Sequence, residues 1–216
     1  MTIQAKICGI TTPDTARAVA QAGASHIGFN FFPKSPRYLE ISDAADLALM
    51  VPSGLTRVGV FVNPDDDFLS QAIAALSLDM VQLHGSESVD RVRDVQTQFG
   101  LPVIKAMPVA QRSDVTASVA YDGVADCVLF DAKAPKDDDA MPGGMGRPFD
   151  WTLLRDLPLK GPWALSGGLS PDNVAEAIRA TGCTFVDVSS GVETQPGVKS
   201  AAKIAAFMDA IKDTAS

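Results

Sequence analysis

Two glycine-rich turns near the C-terminal end of the chain have the composition of an anion cradle. They are Leu165-Ser166-Gly167-Gly168-Leu169 and Val188-Ser189-Ser190-Gly191-Val192. Each follows a short apolar run and reads as the opening of a helix. Adjacent glycines let several N–H groups converge on one point, and a helix start behind them adds positive potential. One such turn alone is an ordinary glycine-rich helix start. Two of them, one strand–helix unit apart, mark Gly167, Gly168, Ser190 and Gly191 as candidates for holding a phosphate.

The other candidates follow from strand parity, because side chains alternate between the two faces of a strand. Ile3, Ala5 and Ile7 form the apolar face of the first strand, so Lys6 and Cys8 face the other way. By the same argument Gln82 and His84, Asp187, and Asp131 at the end of its strand share one surface. Cys8 is either a small buried filler or a base; a free thiol titrates near 8.5, and a neighbouring cation or helix N-terminus would help it. Asp131 is either a loop cap or a general acid, which requires a site that keeps it protonated. Arg37, in Ser35-Pro36-Arg37-Tyr38, is a surface arginine or a fork for a carboxylate. His84 is a catalytic group or a positioning hydrogen-bond donor. Gln82, His84 and Asp187 are candidates for substrate binding.

Positioning these groups requires a repeating scaffold. Strand-like runs occupy Ile3–Gly9, Ser25–Phe31, Thr56–Val62, Asp79–Leu83, Pro102–Ala106, Cys127–Phe130, Trp163–Leu165 and Phe185–Val188. Helical stretches lie between them. Thr12-Pro13-Asp14 opens the first and Ser170-Pro171-Asp172 the seventh, each placing proline in the first turn. Gly23, Gly100 and Gly182 stand where C-cap glycines belong. Alternation of this kind implies parallel strands with right-handed crossovers. Eight units in 216 residues predict an α/β fold, a single-domain (βα)8 barrel (TIM barrel) over residues 1–216. Its active site belongs at the C-terminal strand ends. Lys133–Pro148 is long, polar and glycine-rich for a βα loop, and reads as a flexible cover.

Composition narrows the function. A net charge of −8 argues against nucleic acid as a partner, since phosphate backbones need a basic surface. It leaves room for a small anionic substrate held by local N–H groups. No apolar run approaches a membrane span, and the first residues lack a signal-peptide pattern. Cys8, Cys127 and Cys183 are too few and too scattered for a disulfide framework or a metal site, and a reducing, cytoplasmic setting is the default. No cofactor motif is present. No assembly signal is legible; a monomer is the expectation, with a homodimer left open.

Taken in order, several blocks resemble the phosphoribosylanthranilate isomerase family. They are Lys6-Ile7-Cys8-Gly9-Ile10-Thr11, Gly28-Phe29 with Ser35-Pro36-Arg37-Tyr38, Val58-Gly59-Val60-Phe61-Val62-Asn63, Val81-Gln82-Leu83-His84-Gly85 with Glu87, Phe149-Asp150-Trp151, Leu165–Leu169 and Asp187–Glu193. The resemblance runs from residue 6 to residue 193. It implies a (βα)8 barrel of the tryptophan pathway that rearranges N-(5-phosphoribosyl)anthranilate without metal or coenzyme. By position, Cys8 resembles the family's general base, Asp131 its general acid, Arg37 the residue facing the anthranilate carboxylate, and the two turns its phosphate site. The chain departs from the family in having Met145 and Arg147 where a threonine and a lysine are common, and in the acidic run Asp137–Asp139. Two rival classes stand beside this reading. A metal-dependent phosphosugar epimerase needs a His/Asp cluster, which two histidines supply poorly, and a lyase needs paired carboxylates at other strand ends. A non-catalytic phosphate-binding barrel would have no need of both Cys8 and Asp131.

Overall fold

The computed structural model describes residues 2–133 and 149–214. Eight parallel strands close a barrel in chain order: β1 (Gln4–Cys8), β2 (His26–Asn30), β3 (Thr56–Phe61), β4 (Met80–Leu83), β5 (Val103–Val109), β6 (Cys127–Ala132), β7 (Trp163–Leu165) and β8 (Phe185–Val188). Closure is made by β8 on β1, in a register that sets Lys6 beside Asp187. Helices α1 (Pro13–Ala22), α2 (Ile41–Ala48), α3 (Asp66–Leu76), α4 (Val89–Phe99) and α5 (Arg112–Ala117) follow the first five strands. Helices α6 (Val174–Thr181) and α7 (Ala201–Lys212) follow β7 and β8. The expected barrel is therefore the observed one, with β7 and β8 as expected and the ends of the other strands differing by at most three residues. The proposed cover at Lys133–Pro148 lies, beyond Lys133, outside the described residues.

Parity separates two cores. Ala5, Ile7, Val81, Leu83, Val186 and Val188 pack outward against the helices. Val58, Ile104, Ala106, Cys127, Leu129, Ala164 and Phe185 fill the barrel interior. Each fully buried aliphatic side chain contributes about 1.5–3 kcal/mol. Cys127 is thus a filler, and burial pushes its thiol up to about 12. The interior is packed, so polar side chains sit mainly at the mouth and along the β1–β8 seam, with His26 against Phe185 at the opposite end.

Three local expectations need correction. The seventh helix starts at Val174, not at Ser170-Pro171-Asp172. Asn173 accepts a hydrogen bond from the Ser170 amide at 2.8 Å and donates one to the Gly168 carbonyl at 2.9 Å, which closes residues 168–173 into a turn of their own. The Gly191 turn does not open an α-helix directly either. It leads into a single 3-10 turn, Ser190–Val192, and then a hairpin of β9 (Glu193–Gln195) and β10 (Val198–Lys199) before α7. Among the described residues, the sixth unit has only a 3-10 turn at Trp151–Leu154.

Candidate active site

Cys8 ends β1 at the barrel mouth and is buried. Gly28 stands opposite it on β2, and a Cβ there would come within 2.8 Å of Cys8 Sγ and 2.9 Å of Lys6 Cε. The strand glycine makes the space that the thiol and the lysine share. Lys6 lies beneath, fully buried, and donates to Asp187 at 3.0 Å. Burial works against its charge, but Asp187 and Cys8 outweigh it and hold the ammonium well above its ordinary range. Burial is also the largest influence on Cys8 and pushes the thiol up; Asp187 adds to this, while Lys6 and Lys199 pull it back. The cation expected to assist Cys8 is present, yet it does not overcome desolvation.

Asp131 sits three strands round the barrel, near the end of β6, and is buried. Its Oδ1 accepts from the Ala132 amide at 2.9 Å, and its Oδ2 lies 3.1 Å from His84 Nε2. Gln82 Nε2 lies 2.9 Å from the other ring nitrogen. With the Gln82 amide donating to Nδ1, Nε2 is the ring atom that donates to Asp131. Gln82, His84 and Asp131 thus form one directed chain. Gln82 Oε1 is buried and has no partner among the described residues.

Ser166, Gly167, Gly168, Ser189 and Ser190 line a recess continuous with this mouth. Gly167 has φ +86°, and a Cβ on it would meet the Ala132 amide nitrogen at 2.5 Å. Gly191 needs its bare Cα because a Cβ would collide with the Leu169 carbonyl. The two turns are therefore packed against each other and against the strand end that carries Asp131. No acceptor among the described residues takes up the amides of Gly167 or Gly168.

Arg37 comes to the β1 side of the mouth, against Gly9. It is buried, not a surface arginine, and it already grips a carboxylate. Its Nε and Nη2 donate to the two Glu193 oxygens at 2.7 Å each. Lys199 donates to Glu193 Oε1 at 2.6 Å and to the Ser189 carbonyl at 3.0 Å. Ser189 in turn donates to the Cys8 carbonyl at 3.1 Å. Burial raises Glu193, but Arg37 and Lys199 hold its carboxyl below the usual range; burial pushes Lys199 down despite Glu193. Two cations share one carboxylate, leaving one surplus positive charge beside Cys8.

Cys8, Arg37, Gln82, His84, Asp131 and Asp187 line one cavity. Among the described residues no group of three or more His, Cys, Asp or Glu side chains is arranged to hold a metal ion. No described helix is long and apolar enough to cross a membrane.

A family model described as "N-(5'phosphoribosyl)anthranilate (PRA) isomerase" matches residues 5–210. The chain belongs to this family of isomerases. The N-(5'-phosphoribosyl)anthranilate isomerase of Rhodospirillum centenum is 49% identical over 208 residues, 96% of this chain and 97% of the relative. That of Paracoccus denitrificans is 50% identical over 208 residues, 96% of each chain. Among solved structures, the phosphoribosyl anthranilate isomerase of Thermotoga maritima has a TM-score of 0.87 at 37% identity, over 98% of this chain and 100% of its own. A phosphoribosyl anthranilate isomerase in complex with reduced 1-(o-carboxyphenylamino)-1-deoxyribulose 5-phosphate has a TM-score of 0.84 at 34% identity, over 98% of this chain and 100% of its own.

For this isomerase, sequence reasoning missed Lys199 and quoted Ser189 and Glu193 only within longer blocks, with no role of their own. Glu193 and Lys199 sit on the hairpin, in a segment that the glycine pattern assigned to a helix start. Gly28 had a legible signal, a glycine within a strand, which marks a close approach. Ser166 was quoted only as part of its turn; its Oγ lies 3.4 Å from Asp187 Oδ2.

Proposed function

We propose that the protein catalyses the Amadori rearrangement of N-(5-phosphoribosyl)anthranilate to 1-(2-carboxyphenylamino)-1-deoxyribulose 5-phosphate, with Asp131 as general acid and Cys8 as general base. The observation that carries this reading is the placement of an acid and a base on separate walls of one cavity, with the paired glycine turns between them.

Asp131 gives a proton to the furanose ring oxygen as the bond from that oxygen to C1 breaks. The anilino nitrogen lone pair closes an iminium at C1. The His84 Nε2–H and the Ala132 amide point at the carboxylate that this step leaves and favour its charged form, so Asp131 takes up the proton it gives only beside the two anionic ends of the bound substrate. Cys8 next removes the C2 proton, and that electron pair neutralises the iminium to give an enolamine. Reprotonation at C1 and loss of the enol proton leave the ketone. The order matters, because burial keeps the free thiol neutral. The cationic iminium formed in the first step supplies the positive charge that draws Cys8 towards thiolate.

The turns at Gly167-Gly168 and Ser190-Gly191 bind the phosphate through backbone amides. Gln82 Oε1 accepts from a sugar hydroxyl, and the outward edge of Arg37 meets the anthranilate carboxylate. Asp187 keeps Lys6 charged beneath the thiol. The two anionic ends hold the sugar between acid and base.

Cys8→Ser and Asp131→Asn should each fold and each lose roughly 10²–10⁴ in kcat, with KM little changed. The assay follows loss of the fluorescent anthranilate substrate, with and without chelator. Near-native turnover in either variant removes that residue from its role, and activity that vanishes on chelation and returns with a divalent ion rules out the acid–base scheme.

A further inference from the structure

Behind the active-site wall lies a buried ion pair that the proposed chemistry does not use. Lys105, on β5, points out of the barrel and Glu87 lies in the loop after β4; their side chains are 2% and 1% exposed and 2.7 Å apart. Every hydrogen bond of this pair goes to the chain on either side of His84 or to the neighbouring loop. Lys105 donates to the Leu83 carbonyl at 3.3 Å, the Gly85 carbonyl at 2.7 Å and Glu87, which uses all three ammonium protons. Glu87 accepts from the Gly85 amide with both oxygens, at 3.0 and 2.9 Å, and from the Asn63 amide at 2.8 Å.

The local backbone is shaped around this arrangement. Asn63 takes φ +47°, a region open to asparagine at modest cost. A Cβ at Gly85 would come within 2.5 Å of Asn63 Oδ1 and 2.7 Å of Glu87 Oε1. Tyr121 closes the outer side, donating to the Glu87 carbonyl at 2.8 Å. The peptide groups before and after His84 are therefore tied on the outside of the barrel while its imidazole reaches Asp131 on the inside.

We propose that Glu87 and Lys105 are positioning residues for the isomerase reaction, setting the backbone at His84 so that its Nε2–H meets Asp131. The proposal rests on the reading of Asp131 as the acid. It concerns the ring-opening step and leaves phosphate and carboxylate binding untouched.

The test is a kinetic cycle. Glu87→Gln should lower kcat by about tenfold, as expected for a displaced catalytic contact, while KM moves less than about twofold. In a His84→Ala background the same substitution should change kcat by less than about twofold, because the group it positions is gone. A merely structural role predicts losses that multiply in the double variant, and that outcome overturns the proposal. Should Glu87→Gln fail to fold, the charge-free pair Glu87→Gln/Lys105→Met replaces it in the same cycle.

A measurement on the unaltered protein stands independently of folding. The Gly85 amide should resist hydrogen exchange as strongly as strand amides do. Exchange at the rate of an open loop means the tie is absent and overturns the proposal. If Asp131→Asn retains near-native turnover, the acid assignment itself falls. If Asp131→Asn is crippled and Glu87→Gln is not, only the positioning role falls.

Discussion

Lys6 and Lys105 are alike in type, in strand location and in being fully buried against a carboxylate, yet they serve different parts of the molecule. Lys6 points into the barrel, contacts Asp187 at 3.0 Å and lies beneath the thiol of Cys8. Lys105 points outward and spends its protons on Glu87 and two backbone carbonyls. Their proton affinities move in opposite directions. Burial disfavours both charges; at Lys6 the combined pull of Asp187 and Cys8 exceeds it, whereas at Lys105 burial prevails over Glu87. The buried ion pair inside the barrel acts on the titration of Cys8, the proposed base. The one outside sets the shape of a loop. Neither is expected to add much net stability, because desolvation offsets the attraction, but removing one partner strands a buried charge.

The largest expected effect separates the two lysines. Lys6→Met and Lys105→Met should each cost about 3–5 kcal/mol, measured by urea denaturation, since each leaves a carboxylate unpaired. Turnover should distinguish them: roughly a hundredfold or greater loss of kcat for Lys6→Met, and about tenfold for Lys105→Met. Equal losses of kcat would break the distinction between an electrostatic and a positioning lysine.

A smaller effect is expected at the third buried cluster, where Arg37 and Lys199 share Glu193. Arg37→Ala should weaken a non-reactive substrate analogue by roughly tenfold to a hundredfold, the value of a charged hydrogen bond of about 1.5–3 kcal/mol. Affinity for inorganic phosphate should stay nearly the same. Arg37→Lys should recover only part, because an ammonium cannot present the planar fork that grips Glu193 on one edge and a ligand on the other. An equal loss for both ligands would place Arg37 at the phosphate.

The smallest effect is a pH dependence that Lys6 tunes. His26 packs on Phe185 at 4.7 Å between ring centroids, and its imidazole is pushed down to about 4, by burial first and by the charge of Lys6 second. The folded state therefore refuses a proton that the unfolded chain accepts below about 6.5. Stability from this group is complete above that value and is lost as pH falls from 6.5 towards 4. The melting temperature should drop across this window and drop less in His26→Gln. In Lys6→Met the titration of His26, followed by NMR, should move upward; no movement would mean that Lys6 does not reach His26.

The barrel was legible because its signal is local. Alternation in Ile3–Cys8, Val81–His84 and Phe185–Val188 assigns each side chain to a face without reference to any other strand. The chain turns Lys6, Gln82, Asp131 and Asp187 to the inner face that parity assigned. The hairpin after β8 was not legible. Val188-Ser189-Ser190-Gly191 has the composition of a helix start, yet the following residues form β9 and β10, held to the loop after β2 by the Arg37–Glu193 pair. Gly197, with φ +84° and its Cα close to the Pro36 carbonyl, belongs to that packing.

The sequence by itself determined the alternating strand–helix order, the face on which each polar strand residue lies, and the two turns whose glycines allow amides to converge. Those properties depend on backbone sterics and on a period of two, both readable over a few residues. Only the tertiary structure decided which charges meet. Lys6 finds Asp187 across 181 positions of sequence and Arg37 finds Glu193 across 156, because closure of β8 onto β1 brings both ends of the chain to one seam. Lys105 and Glu87 are joined by the step from β4 to β5. Pairing across such separations depends on register and on desolvation at the closed seam, and neither is encoded in the spacing of the residues that pair.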